Sequence, residues 1–225
     1  MSAQKDHPQP RKPGRPRGSK PNTANREQLI DIALRLFSRQ GIAQTSLNAI
    51  AREASVTPAM LHYYFNSREQ LLDVMIEERF LPLREQITRV FGDYPDNPVQ
   101  ALSEMVKTLA VVAAQHEWFA PLWMQEVIGE MPVLRQHLHA RFGDEKYHAT
   151  LARVKSWQAA GKVNPNLTAE LLFTTLLSLV LVPFSRMRND ERLGMLTPEI
   201  IVSNALAVLL QGIGPASVSA LADNC

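Results

Sequence analysis

Cysteine is all but missing. The single cysteine among 225 residues, Cys225, excludes an internal disulfide. Its place at the far end of the chain makes it an incidental thiol rather than a nucleophile or ligand. Strand signal is missing too: apolar positions recur at helical spacing, with almost no period-2 alternation. No serine sits in a nucleophile elbow, no glycine-rich loop cradles phosphate, and no carboxylates form a pair with a reason to split their pKa values, so no enzyme is expected. His137, His139 and His148 lie near Glu145, but histidines at i and i+2 point to different sides of a helix. No metal site and no cofactor are therefore expected, and His116 has no obvious partner. The longest apolar run, Leu171 to Phe184, is shorter than the ~20 residues of a membrane span and holds Thr174, Thr175, Ser178 and Pro183. It reads as a buried helix, with no membrane partner. The chain opens on a basic segment rather than an apolar leader, and a cytoplasmic protein is expected.

What is present is helix. At 45% hydrophobic residues, the chain is long enough for one small and one larger packed unit, and the fold class is all-α. The expected division is a disordered basic arm over 1–24, a three-helix head over 25–72, a larger helical domain over 73–214 and a flexible tail over 215–225. Leu29, Ile32, Ala33, Leu36 and Phe37 mark a first helix, stopped by Gly41. A fourth starts near Arg68 with Leu71, Leu72, Met75, Ile76, Phe80 and Leu83 on one face, and Pro82 should kink or interrupt it. Asp93 to Pro98 is a polar break. Periodicity and caps then predict helices over 98–115, 117–129, 132–160, 168–189 and 197–212, the last opened by Thr197-Pro198-Glu199.

Residues 45–72 carry the most information. Ser46 is a good N-cap for a short helix whose apolar face is Leu47, Ile50, Ala51 and Ala54. Ser55-Val56-Thr57 breaks the pattern, and Thr57 followed by Pro58 supplies the cap and first residue of a second short helix through about Tyr64. Two helices around so short a turn form a helix-turn-helix. Ala51 is small at the crossing, Val56 and Leu61 point to the shared core, and Thr57, Pro58, Ala59, Met60, His62, Tyr63 and Tyr64 supply an exposed face that can touch bases and phosphates. Phe65, at i+4 from Leu61, belongs to the core. Tyr63 and Tyr64 read as contacts, with core packing as the alternative.

The stretch from Ile50 to Leu71, IAREASVTPAMLHYYFNSREQL, resembles the DNA-binding domain of TetR-type (tetracycline-repressor-like) transcriptional regulators, whose usual pattern is I-A-x-x-A-G-V-S-x-G-x-L-Y-x-Y/H-F-x-S/N-K-x-x-L. Four positions of the turn and recognition helix depart from it, and Arg68 stands where the pattern has lysine. Ser55 replaces the glycine common in the turn, where a positive φ has a modest cost; Thr57 replaces serine, Ala59 replaces glycine and His62 replaces tyrosine. These departures bear on which DNA sequence is read. The resemblance implies DNA contacts from Thr57, Pro58, Ala59, Met60, His62, Tyr63 and Tyr64 of the recognition helix. It also implies a contact from Asn48 of the preceding helix, beside the cap Ser46, and a phosphate held by Arg68 at the next helix start.

The N-terminal segment Arg11-Lys12-Pro13-Gly14-Arg15-Pro16-Arg17-Gly18-Ser19-Lys20 resembles an AT-hook. Residues 1–26 hold seven Lys or Arg against one acid, a net +6, which leaves −4 for the remainder of a chain of formal charge +2. Proline and glycine keep the segment extended, and Arg15 and Arg17 suit a narrow A·T minor groove. A solvated basic tail is the alternative.

Two tasks are expected of the larger domain. The last two helices are apolar over more of their circumference than their own core needs, so Leu172, Leu176, Leu179, Ile201, Leu206 and Leu209 are candidates for a homodimer interface, the four-helix bundle that the resemblance implies. A dimer would place two heads ~34–36 Å apart on a palindromic operator in double-stranded DNA. Met105, Leu109, Trp118, Trp123, Glu126, Phe142, Trp157 and Phe173 are candidates to line a cavity for a small, largely apolar effector, with plain core packing as the alternative. The expected function is a homodimeric repressor released by that ligand. The alternative is an architectural or nucleoid-associated protein on A·T-rich DNA without an inducer.

Overall fold

In the computed structural model, which describes residues 25–128, 132–142, 144–187, 190, 192 and 195–213, every helix of the head starts on a side-chain cap. The Asn25 side chain accepts from the Gln28 N–H at 2.9 Å and Gln28 accepts from the Asn25 N–H at 3.0 Å, a capping box that opens α1 (Arg26–Gln40). Ser46 accepts from the Ala49 N–H at 3.1 Å to open α2 (Leu47–Glu53), and Thr57 accepts from the Met60 N–H at 3.2 Å to open α3 (Pro58–Phe65) with Pro58 in its first turn. Ser67 does the same for α4 (Arg68–Met75), accepting from the Gln70 N–H at 3.2 Å. Each such cap contributes about 0.5–2 kcal/mol.

The turn between α2 and α3 closes as the sequence requires. Ser55 takes φ 55°, the Val56 N–H bonds the Ala51 carbonyl at 3.0 Å and the Ser55 N–H bonds Arg52 at 3.1 Å. This is a Schellman ending with a serine where glycine is usual. Ser55→Gly is therefore expected to raise stability by about 0.5–1 kcal/mol, the left-handed penalty of an L-residue less the extra entropy of glycine. Urea denaturation measures it, and a loss of stability would mean that the serine side chain itself contributes.

Leu29, Ile30, Ala33, Leu34 and Phe37 form the buried face of α1. The expected stripe is thus rotated: Ile32 and Leu36 are only half-buried, because α2, α4 and a later helix from the body converge on the other flank of the Leu29–Ala33–Phe37 line. After α4 the chain passes through a π-helical turn, Ile76–Phe80, in which the Leu81 N–H reaches back to the Ile76 carbonyl. Pro82, two residues on, offers no N–H. The wider turn absorbs the missing bond, and the chain continues as α5 (Leu81–Thr88) and α6 (Val90–Asp93) instead of breaking.

The body comprises α7 (Pro98–Gln115), α8 (Phe119–Ile128), α9 (Val133–Phe142), α10 (Glu145–Ala159), α11 (Ala169–Arg186) and α12 (Pro198–Ile213). The single helix expected over 132–160 is two, because the chain bends at Asp144 (φ −100°, ψ 0°) beside Gly143, a poor helix former. Leu102, Val106, Leu109, Val180, Leu181 and Ala205 are among the residues that fill the core where α7, α11 and α12 meet. By length and composition α11 could cross a membrane, with mean hydropathy 1.4. It packs instead against α7, α8, α10 and α12, yet only 28% of its residues are buried, which leaves much of an apolar helix uncovered.

The head's core does not close on itself. Met75 and Ile76 are fully buried in it, and it takes in Leu122 from α8 and Leu134 from α9.

Candidate nucleic-acid interface

Leu61 and Phe65 are fully buried and fasten α3 to the head. Helical geometry then turns Thr57, Pro58, Ala59, His62 and Tyr63 outward, all exposed, with Met60 and Tyr64 half-buried at the edges. Tyr63 is 84% exposed, a large apolar ring with a phenol tip held only by an edge contact to Tyr64 at 5.4 Å. Tyr64 in turn leans on Phe65 at 6.1 Å. Asn48 and Ser46 lie exposed at the start of α2, the Ser46 hydroxyl already occupied as the cap. The predicted α3 contacts therefore share one outward surface.

Arg68 is placed differently from a freely projecting cation. It is half-buried, Nη2 donates to the Ile42 carbonyl and Nε is buried without a partner among the described residues. Part of its guanidinium is thus turned inward onto the α1–α2 loop. Arg15 and Arg17, with the whole arm and the tail, lie outside the described residues.

Asn66 was not anticipated. It is exposed at φ 44°, its N–H bonds the His62 carbonyl at 2.9 Å, and its own carbonyl lies 3.0 Å from His62 Nδ1. An Asn between the aromatic cluster and a serine cap was the available signal, since Asn tolerates positive φ better than other side-chain-bearing residues.

Among the described residues, polar contacts tie the head to α8 and α9 at two places, neither of them legible in the sequence. At one, the Gln125 amide of α8 donates to the Ser38 carbonyl of α1 at 3.1 Å beside Gly41. At the other, the Asp73 carboxylate of α4 accepts from His137 Nε2 at 2.9 Å and Arg141 Nη1 at 2.7 Å of α9, and Arg141 also pairs with Glu77. A cleft of about 620 Å³ opens there, lined by Gln70, Asp73, Val74, Glu77, His137, Ala140 and Arg141. His139 pairs with Asp144 at 2.9 Å.

The His137 hydrogen bond, with Arg141 adding its charge, holds the Asp73 carboxyl below the usual carboxylate range. A lowered folded-state pKa contributes stability that is fully present above the unfolded value, ~3.9, and is lost as pH falls through the folded one. The stability advantage of the wild type over Asp73→Asn is therefore expected to be constant above about pH 5 and to shrink steadily below pH 4. Denaturation of both proteins across that range checks it, and a difference independent of pH would show that the carboxylate's charge is not what holds the junction.

The residues predicted to line an effector cavity fall into two packed groups. Trp118 stacks edge-on against Phe80 at 5.1 Å and Phe119 at 5.8 Å; Trp157 and Phe173 pack on Phe91 at 6.1 and 5.8 Å. Met105 and Leu109 are buried in the core and Trp123 is half-buried against it, while the side chain of Phe142 lies outside the described residues. Glu126 is buried and already has partners: its carboxylate accepts the N–H groups of Leu134 at 2.8 Å and Arg135 at 3.4 Å at the start of α9, and burial pushes its carboxyl up. The cleft at the α4–α9 junction and a second one of about 270 Å³ beside Ser55 are lined by none of these residues.

The predicted interface residues need a correction. Leu172, Leu176, Ile201 and Leu209 are buried within their own chain, and Leu179 and Leu206 are half-buried against the same core. The outward apolar side chains are Leu171, Ile200, Val208 and Leu210. Periodicity gives the spacing of a stripe; which of two nearly continuous stripes faces inward is set by the neighbouring helices.

Residues 29–75, which span α1 to α4, match the family model described as bacterial regulatory proteins, tetR family. The match covers the head alone, about a fifth of the chain. Similar proteins include the HTH-type transcriptional regulator AcrR of Shigella flexneri, 29% identical over 49% of this chain and 54% of its own length. The nicotine-responsive transcriptional repressor HdnoR of Paenarthrobacter nicotinovorans is 32% identical over 49% of this chain and 50% of its own. The chain thus spans about half the length of the curated relatives it matches. The fold likeness extends further. The ketosteroid transcriptional regulator KstR2 of Mycobacterium tuberculosis superimposes with a TM-score of 0.62 over 84% of this chain and 94% of its own, at 18% identity. A head that matches the tetR-family model therefore sits on a body with the same helical fold as these solved structures.

Proposed function

We propose that this protein is a homodimeric, sequence-specific DNA-binding regulator of the tetR family, and a repressor released from its operator by a small, largely apolar ligand. The observation that carries the reading is the outward face of α3, where Ala59, His62 and an 84% exposed Tyr63 stand on a helix anchored by the fully buried Leu61 and Phe65. A protein with no use for that face would not leave a tyrosine so bare on a rigid helix. Asn48 and the rest of the Arg68 fork flank α3 and suit phosphate contacts, and Arg15 and Arg17 of the arm suit an A·T minor groove beside the site.

Dimerisation is supported by the apolar side chains that α11 and α12 leave outside, Leu171, Ile200, Val208 and Leu210. Pairing of two such faces buries them and sets two heads at a fixed spacing on a palindrome. Ligand release is supported by the aromatic groups of the body, Trp118 with Phe80 and Trp157 with Phe91 and Phe173, and by the likeness to HdnoR, a repressor named as nicotine-responsive. The junctions of Gln125 with Ser38 and of Asp73 with His137 and Arg141 are where a change in the body reaches the head. By linkage, the ligand weakens DNA binding by the same factor as DNA weakens its own. A protein that acts on bacterial DNA works in the cytoplasm.

The test is fluorescence anisotropy at fixed near-physiological salt on the DNA upstream of the protein's own gene, against a shuffled fragment of equal A·T content. A preference of about 10³-fold or more is expected. Equal binding to both would favour an architectural protein on A·T-rich DNA.

A further inference from the structure

We infer that His62 reads a base edge as a hydrogen-bond acceptor, and so selects adenine or cytosine at one position of each half-site. The inference rests on the DNA-binding reading above. His62 is exposed on the outer face of α3 with Ala59 one turn before it and Tyr63 beside it. Its Nδ1 lies 3.0 Å from the Asn66 carbonyl oxygen. A carbonyl only accepts, so Nδ1 carries the proton and in the neutral ring Nε2 is a bare lone pair.

The way α3 ends fixes which ring nitrogen carries the proton when the imidazole is neutral. The Asn66 N–H donates to the His62 carbonyl at 2.9 Å, so both main-chain groups of Asn66 are bound to His62, one through the backbone and one through the imidazole. Asn66 at φ 44° turns out of the helix and brings its carbonyl back to the ring. Among the described residues no acidic side chain contacts His62 to compete for Nδ1.

The chemistry of the groove follows. Phosphate oxygens accept, so an Nε2 lone pair has nothing to give them. In the major groove the donors are the amino groups of adenine N6 and cytosine N4, whereas guanine presents N7 and O6 and thymine presents O4 and a methyl group. His62 therefore favours the first pair of bases and is repelled by the second. A tyrosine hydroxyl there would rotate to donate or accept and would draw no such line.

Selection from a random-sequence duplex library at pH 8, which keeps imidazoles neutral, tests this with the full-length wild type, His62→Ala and His62→Gln. The wild type is expected to enrich adenine or cytosine at one position per half-site. His62→Ala should lose selection at that position alone, with roughly tenfold weaker binding to the wild-type site, and His62→Gln, which keeps an acceptor, should retain adenine there. A wild-type consensus that His62→Ala leaves unchanged, or a loss spread evenly over all sequences, overturns the inference and leaves the regulator reading standing. If the wild type enriches no sequence at all, both fall.

Discussion

Truncation of Phe65 to alanine is expected to lower stability by about 3–5 kcal/mol and to take DNA binding with it. The ring is fully buried where α3 meets the head core, touched by Tyr64 at 6.1 Å and covered by the Arg26 guanidinium at 5.8 Å. Little of the hole could be refilled, because α3 is only eight residues long and Leu61 is its one other buried anchor. Tyr63→Ala, two residues away and 84% exposed, should leave stability within about 0.5 kcal/mol while it weakens DNA binding. The pair thus separates holding the reading helix from reading with it. Urea denaturation and anisotropy on the same preparations give both numbers, and a Phe65→Ala protein as stable as wild type would mean that α3 is held by something other than this core.

Gly41→Ala is expected to cost about 1–3 kcal/mol. Two effects coincide at this residue. Its backbone stands at φ 84°, ψ 155°, a region open almost only to glycine, and a methyl group would sit 2.7 Å from Gln125 Oε1. The backbone term should dominate, because the Gln125 amide is the far end of a flexible side chain and moves aside at the cost of its 3.1 Å bond to the Ser38 carbonyl. Adding Gln125→Ala to Gly41→Ala should therefore recover only a minor part of the loss. Recovery of most of it in a thermal or chemical denaturation cycle would show that the collision, not the backbone, is what glycine avoids.

Gly41 also shows how far the sequence could be read. As a helix stop it is plain from its place after Phe37; that it also lets α8 come down onto α1 is not, because Gln125 is 84 residues away. Caps, turns and the recognition helix were legible because each depends on residues three to five positions apart. The Ser55 φ, the Thr57 cap and the burial of Phe65 against the exposure of Tyr63 all belong to that local class. Ligand and interface residues were less legible. Leu172 and Leu171 are neighbours of equal hydrophobicity, one 5% and the other 58% exposed, and only the position of α7 and α8 beside α11 separates them. Glu126, expected to line a cavity, has its carboxylate bound to the Leu134 N–H at the start of α9.

By itself, the sequence determined the all-α class, the helix-turn-helix between Ser46 and Phe65 and the residues its reading face presents, because hydrogen-bonded caps and 3.6-residue periodicity act within one or two turns of chain. The tertiary structure decided the inward turn of Arg68 onto the Ile42 carbonyl, the choice of which apolar stripe of α11 faces inward and the two junctions that tie the head to α8 and α9. Those depend on which helices meet, and close packing between distant segments is set by the shape of both surfaces at once.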